Sequence, residues 1–203
     1  MAAAVAVTEK LDSATRAAAL LSIDREGGRT YLPAMLAAED SALHRWGDDR
    51  GARPIRIAVL REPAPGFREE FYANVAWAVT RWNAAGLPIY LEQIADTAGA
   101  DIVVTWADRL DSSRAGRADV SWQHGGRLAH VHVTLATHTP DGRQVLPSQM
   151  VALALHEIGH ALGLGHSPVA ADALYPQTSA TDLTTRDRRT AVLLYSLPPG
   201  SLR

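Results

Sequence analysis

His156-Glu157-Ile158-Gly159-His160-Ala161-Leu162-Gly163-Leu164-Gly165-His166 places three imidazoles, one carboxylate and three glycines in a single short run. Around it Val151, Leu153, Leu155, Ile158 and Leu162 form the apolar part of a helical pattern. Pro147-Ser148 opens that helix, with Ser148 the expected N-cap, and the pattern carries it to Gly163. Residues four apart on a helix lie about 40° around the axis and one turn along. His156 and His160 therefore project from one face as a ready pair for one cation. Glu157 points elsewhere, so it can reach a water beside that pair without sharing its focus. Gly163 accepts positive φ at low cost and ends the helix. Leu164-Gly165 then swings His166 back as a third ligand. Three neutral imidazoles leave one tetrahedral position open, the mark of a catalytic rather than a structural zinc site. The expectation is one Zn2+ on His156, His160 and His166. Glu157 is the expected general base on a water that the metal acidifies, and then the acid towards a leaving amine.

Outward from this helix the patterns alternate between strand and helix. Upstream, Ile55–Leu60 alternates as a strand, and Phe71, Val75, Ala78 and Trp82 share one face of a helix over 67–85. Gly86 and Pro88 close that helix. Strands are expected at 89–94, 101–106 and 128–136, with a glycine-bearing loop between the last two that spans Gly116 and Gly125-Gly126. A last helix runs from Thr184 to Ser196 and stops before Pro198-Pro199. Towards the N-terminus, 4–22 and 33–45 read as helices, and the polar stretch 46–54 breaks the chain before the first strand. Residues 1–50 are thus expected to form a helical extension and residues 51–203 the main domain. The class is α+β: a twisted mixed sheet with one antiparallel edge strand, two long helices and a C-terminal helix.

Composition narrows the chemistry. There is no cysteine, which excludes disulfides, a thiolate metal site and a cysteine nucleophile. A net charge of -2, with arginines scattered among acids, offers no footprint for nucleic acid or an anionic membrane. No apolar run reaches the roughly 18 residues of a membrane span. The apolar start, Met1 to Val7, lacks a basic n-region and is cut short by Glu9-Lys10, so no signal peptide is read in the chain as given.

The pattern His156-Glu157-x-x-His160-x-x-Gly163-x-x-His166 resembles the metzincin signature. Ser167 after the third histidine resembles the matrixin branch in particular, as do Ala100-Asp101-Ile102-Val103-Val104 and Gly126-Arg127-Leu128-Ala129-His130. The similarity spans roughly 54–197 and is highly specific at 156–167. It implies a zinc-dependent metalloendopeptidase with a shallow cleft, a protein or peptide substrate, a monomeric chain and a secreted or extracytoplasmic setting. It also implies an edge strand around Leu128, Ala129 and His130 that pairs with an extended peptide. Tyr175 and Pro176 would stand in the wall of the pocket after the scissile bond.

This sequence departs from the matrixin pattern in three places. Leu174 stands where the turn beneath the metal carries methionine, and Pro176 occupies the place of an extra tyrosine ligand found in some metzincins. The zymogen cysteine is missing. Residues 1–50 are therefore either a packed extension or an inhibitory segment capping the metal with Asp40, Asp48 or Asp49. The H-x-D of a structural zinc site is also missing. His124, His130 and His132 are accordingly either a second metal site or polar residues on an exposed face. Two alternatives to the peptidase stay open: a narrow metal-dependent amidase, and a zinc-bound binding module without activity.

Overall fold

The computed structural model describes residues 8–38, 41–62, 64–111 and 114–203. Its centre is a five-stranded mixed sheet. Three strands run parallel side by side: β3 (Leu91–Ile94), β2 (Ile55–Val59) and β4 (Ile102–Ala107). β6 (Leu128–Ala136) continues the parallel set, and β5 (Gly116–Trp122) closes the order β3-β2-β4-β6-β5 as an antiparallel edge. A small second sheet pairs β1 (Ala42–Leu43) with β7 (Gly200–Ser201). Among the described residues this is the α+β arrangement expected from the patterns. Among the described residues no helix is long and apolar enough to cross a membrane.

Helix α3 (Glu69–Asn83) buries Phe71, Val75, Ala78 and Trp82, the stripe read from sequence, against the sheet and against α4 (Pro147–Ala161). The Trp82 indole N–H donates to the Leu155 carbonyl at 3.0 Å, so the packing also satisfies its one polar atom. α4 starts with Pro147, whose missing N–H costs nothing there. Ser148 is not its cap; Gln149 Oε1 instead accepts from the Leu146 N–H at 2.8 Å. In α5 (Thr185–Ser196), Thr184 and Asp187 cap each other's backbone.

Two expectations need correction. The strand 128–136 is not an edge: residues 131–136 pair with β4 on one side, residues 128–135 pair with β5 on the other, and the Leu128 N–H donates to the Arg45 carbonyl. The antiparallel edge belongs to Gly116–Trp122, a segment whose sequence reads as loop. That segment alternates exposed Arg117, Asp119 and Ser121 with half-buried Ala118, Val120 and Trp122, but its Gly and Asp are poor strand formers and mask the period.

The second correction concerns the extension. Asp12 caps α1 (Ser13–Glu26) through its carboxylate. The second helix, α2 (Leu32–Ala38), stops well short of residue 45, and the chain turns into β1 instead. Ser41 adopts φ 57 and its N–H donates to Leu36. Tyr31, Leu32, Met35, Leu43 and Trp46 all enter the same hydrophobic core as the sheet and helices. Residues 1–7, part of the first expected helix, lie outside the described residues.

Candidate metal centre

Helix α4 carries His156 and His160 one turn apart, and the turn at Gly163 returns His166 to them. Ring centroids lie 4.6 Å apart for His156 and His160, 4.8 Å for His160 and His166, and 5.3 Å for His156 and His166. His156 Nδ1 meets the Ala173 carbonyl at 2.9 Å, and His160 Nδ1 meets the Leu164 carbonyl at 2.7 Å. A carbonyl only accepts, so each Nδ1 carries the proton and each Nε2 is a bare lone pair. Those two Nε2 atoms face each other at 3.0 Å. Two lone pairs so close repel, and a shared cation converts the repulsion into ligation. Burial pulls His156 down to about 4. It pulls His160 to about 3, with His156 adding to the effect. Both imidazoles are thus neutral, the form that binds a metal. One ligand atom from each of the three histidines falls within 4.8 Å of the others. The donor set fits zinc.

Gly163 makes this turn possible. Its φ is +93°, and a Cβ there would lie 2.0 Å from the His44 carbonyl oxygen, so both conformation and space require glycine. Beneath the imidazoles Leu174 is fully buried. A Cβ on Gly159 would fall 2.8 Å from Leu174 Cδ2 and 3.0 Å from Trp82 Cζ2. The loop carrying Leu174 is pinned by polar contacts. Ser167 Oγ and Thr184 Oγ1 donate to Asp172, and the Ala173 N–H donates to Asp187 Oδ2 at 3.0 Å. Asp187 thereby holds Ala173, the residue whose carbonyl orients His156.

Glu157 is 4% exposed and its Oε1 fills the space beside Gly116. Burial pushes its carboxyl up to about 8, against the opposing pull of Arg114. A dication nearby acts in the same sense as Arg114 and favours the carboxylate.

All four residues face one cleft. Its upper rim is β5 and the residues before it, including Arg114, Gly116, Ala118, Val120 and Trp122, with Pro176 and Gln177 lining it elsewhere. Of the other expected site residues, Leu128, Ala129, His130 and Tyr175 are not among the lining residues. The missed residues are those of β5, whose signal was its alternation, and His44, which stacks on Trp122 at 4.2 Å. No local pattern marked His44.

Of the acids that would cap the metal, Asp48 and Asp49 are elsewhere. Asp48 pairs with Arg45 at 2.8 Å, and neither Asp48 nor Asp49 lines the cleft. Asp40 lies outside the described residues. His132 Nε2 meets Thr105 Oγ1 at 3.0 Å, and His130 is exposed. The His124 side chain lies outside what is described. Among the described residues, His156, His160 and His166 are the one group of three or more such side chains able to hold a metal.

Comparison with known proteins agrees with this geometry. Metalloendoproteinase 1-MMP of Arabidopsis thaliana is 29% identical over 136 residues, which are 60% of this chain and 37% of that protein. The chain thus spans little more than a third of that relative's length. Residues 52–196, holding the whole sheet, the three histidines and Glu157, match the matrixin family. The chain belongs to the matrixin family.

Proposed function

We propose that this chain is a zinc-dependent metalloendopeptidase that cleaves extended peptide segments of proteins. The observation that carries the proposal is the pair of bare Nε2 atoms at 3.0 Å, beside His166 and the Glu157 carboxylate in one open cleft. His156, His160 and His166 would hold the zinc. When bound, zinc supplies Lewis acidity towards a peptide carbonyl and a water molecule. Glu157 takes the proton from that water and delivers it to the departing amine nitrogen. Its buried setting keeps bulk water from competing for the transfer.

The outer edge of β5, unpaired by any strand among the described residues and centred on residues 116–120, positions the substrate by strand addition. An edge strand with a free row of N–H and C=O groups fits an extended backbone of any sequence. Pro176 forms part of the opposite wall, with Tyr175 beside it. These roles, and the secreted or extracytoplasmic setting that goes with the family, belong to the proposal.

The test is cleavage of casein and of a mixed peptide library with and without a chelator, repeated with Glu157→Ala. Chelator-sensitive cleavage that falls by about two to four orders of magnitude in Glu157→Ala, with zinc retained, supports the peptidase. Bound zinc without cleavage of any peptide points to the silent binding module. Turnover of non-peptide amides alone points to the narrow amidase.

A further inference from the structure

We infer that residues 31–38 and 41–46, which precede the residues matching the family, buttress the metal-ligand turn at Leu162–His166. The inference rests on the zinc reading above. It comes from following the backbone donors from Leu162 to Gly165 in that turn. The N–H groups of Leu162, Gly163 and Leu164 return to α4, at Ile158, His160 and Gly159. The Gly165 N–H, adjoining His166, has no such partner within the helix. It donates to Met35 Sδ at 2.9 Å, and Met35 is fully buried.

The carbonyls at the end of α4 are served from outside as well. The Trp46 indole N–H donates to the Ala161 carbonyl at 2.9 Å, and the Tyr195 hydroxyl donates to the Leu162 carbonyl at 3.0 Å. These are helix C-terminal acceptors, which a buried helix end cannot leave to water. Arg45 stands over the Tyr195 ring and donates to the Leu197 carbonyl at 2.7 Å. The His44 carbonyl presses on the Cα of Gly163, as the 2.0 Å approach to a virtual Cβ shows.

A second arm reaches His156. The Tyr31 N–H donates to Thr190 Oγ1 at 3.1 Å, and its phenol is buried beside Asp187. Asp187 in turn holds Ala173, the acceptor for His156 Nδ1. Residues 31–38 and 41–46 thus bear on two of the three ligands through separate contacts, while their acidic neighbours Asp48 and Asp49 stay out of the cleft. Met35 and Trp46 are positioning residues: they fix where His166 and the end of α4 sit.

The experiment measures zinc affinity by competition with a chelating dye, and the visible spectrum of the cobalt-substituted protein. It uses the full chain with Met35→Leu, Trp46→Phe and Leu36→Ala. Met35→Leu keeps the volume and removes the acceptor; Trp46→Phe removes one donor. Leu36 is on the same helix and 7% exposed, but is not engaged with the turn by any hydrogen bond described above. The expected result is about a tenfold loss of zinc affinity and an altered cobalt spectrum in Met35→Leu and Trp46→Phe. Leu36→Ala is expected to lower thermal stability and leave both metal readouts at wild-type values. Wild-type affinity and spectrum in both Met35→Leu and Trp46→Phe overturn the inference, as does an equal metal defect in Leu36→Ala. A wild-type protein that binds neither zinc nor cobalt overturns the zinc reading itself and is distinguishable from both.

Discussion

The Glu157 carboxylate occupies the place that a side chain on residue 116 would take: a Cβ on Gly116 would lie 2.3 Å from Glu157 Oε1 and 2.6 Å from Leu153 Cδ1. The start of the edge strand and the Glu157 carboxylate on α4 are thus in direct contact. Strand register and carboxylate position are set together.

Gly116→Ala is therefore expected to push the carboxylate off its line while leaving the imidazoles untouched. A displacement of about 1 Å at a reacting group costs on the order of a hundredfold. Peptide cleavage should fall by roughly that factor, with zinc content and the far-UV spectrum unchanged. Wild-type kcat/KM in this variant would show that Glu157 is not held by the strand.

Acid should destabilise the metal-free protein in a defined window. Burial holds His156 at about 4 and His160 at about 3, against about 6.5 in an unfolded chain. The folded-state values are depressed, so the unfolded chain takes up protons first as pH falls. The histidine contribution is complete above about pH 6.5 and is lost progressively down to about pH 3, while Glu157, raised to about 8, acts in the opposite sense between about pH 8 and 4.5 and offsets one of the two protons. The net loss therefore begins below about pH 6.5, and thermal melts of chelator-treated protein between about pH 6.5 and 4 test this. A midpoint that holds steady or rises on acidification contradicts it.

Asp187→Ala removes the Oδ2 atom that accepts from the Ala173 N–H at 3.0 Å and the Thr184 N–H at 2.9 Å. Two backbone donors lose their partner, at a cost of about 3 kcal/mol. Urea denaturation should show that loss, and zinc affinity should fall with it because Ala173 orients His156. A variant as stable as the parent would mean that the loop is held from elsewhere.

Leu174→Met exchanges side chains of similar volume at the buried position beneath the imidazoles. The expected change in stability is below about 1.5 kcal/mol, with peptide cleavage retained. Leu174→Ala leaves a cavity there and should cost about 2–5 kcal/mol. Equal, large losses in both variants would indicate a requirement for leucine that volume does not explain.

The grouping of His156, His160, His166 and Glu157 and the glycine turn could be read from the chain because they lie within one helix and the turn after it. Helical geometry alone brings residues four apart onto one face. The stripe Phe71, Val75, Ala78 and Trp82 was legible for the same reason, as was the run 128–136. The order of strands was not. Whether 128–136 or 116–122 holds the edge depends on which strand pairs with β4, a contact between distant segments with no local signature. Residues 31–38 and 41–46 show the same limit. Met35, His44 and Trp46 carry no motif, yet each meets the ligand turn more than a hundred residues away. Local periodicity is written into sequence by the geometry of one element. The partner of a buried N–H or carbonyl in that turn is chosen only when the whole core closes around it.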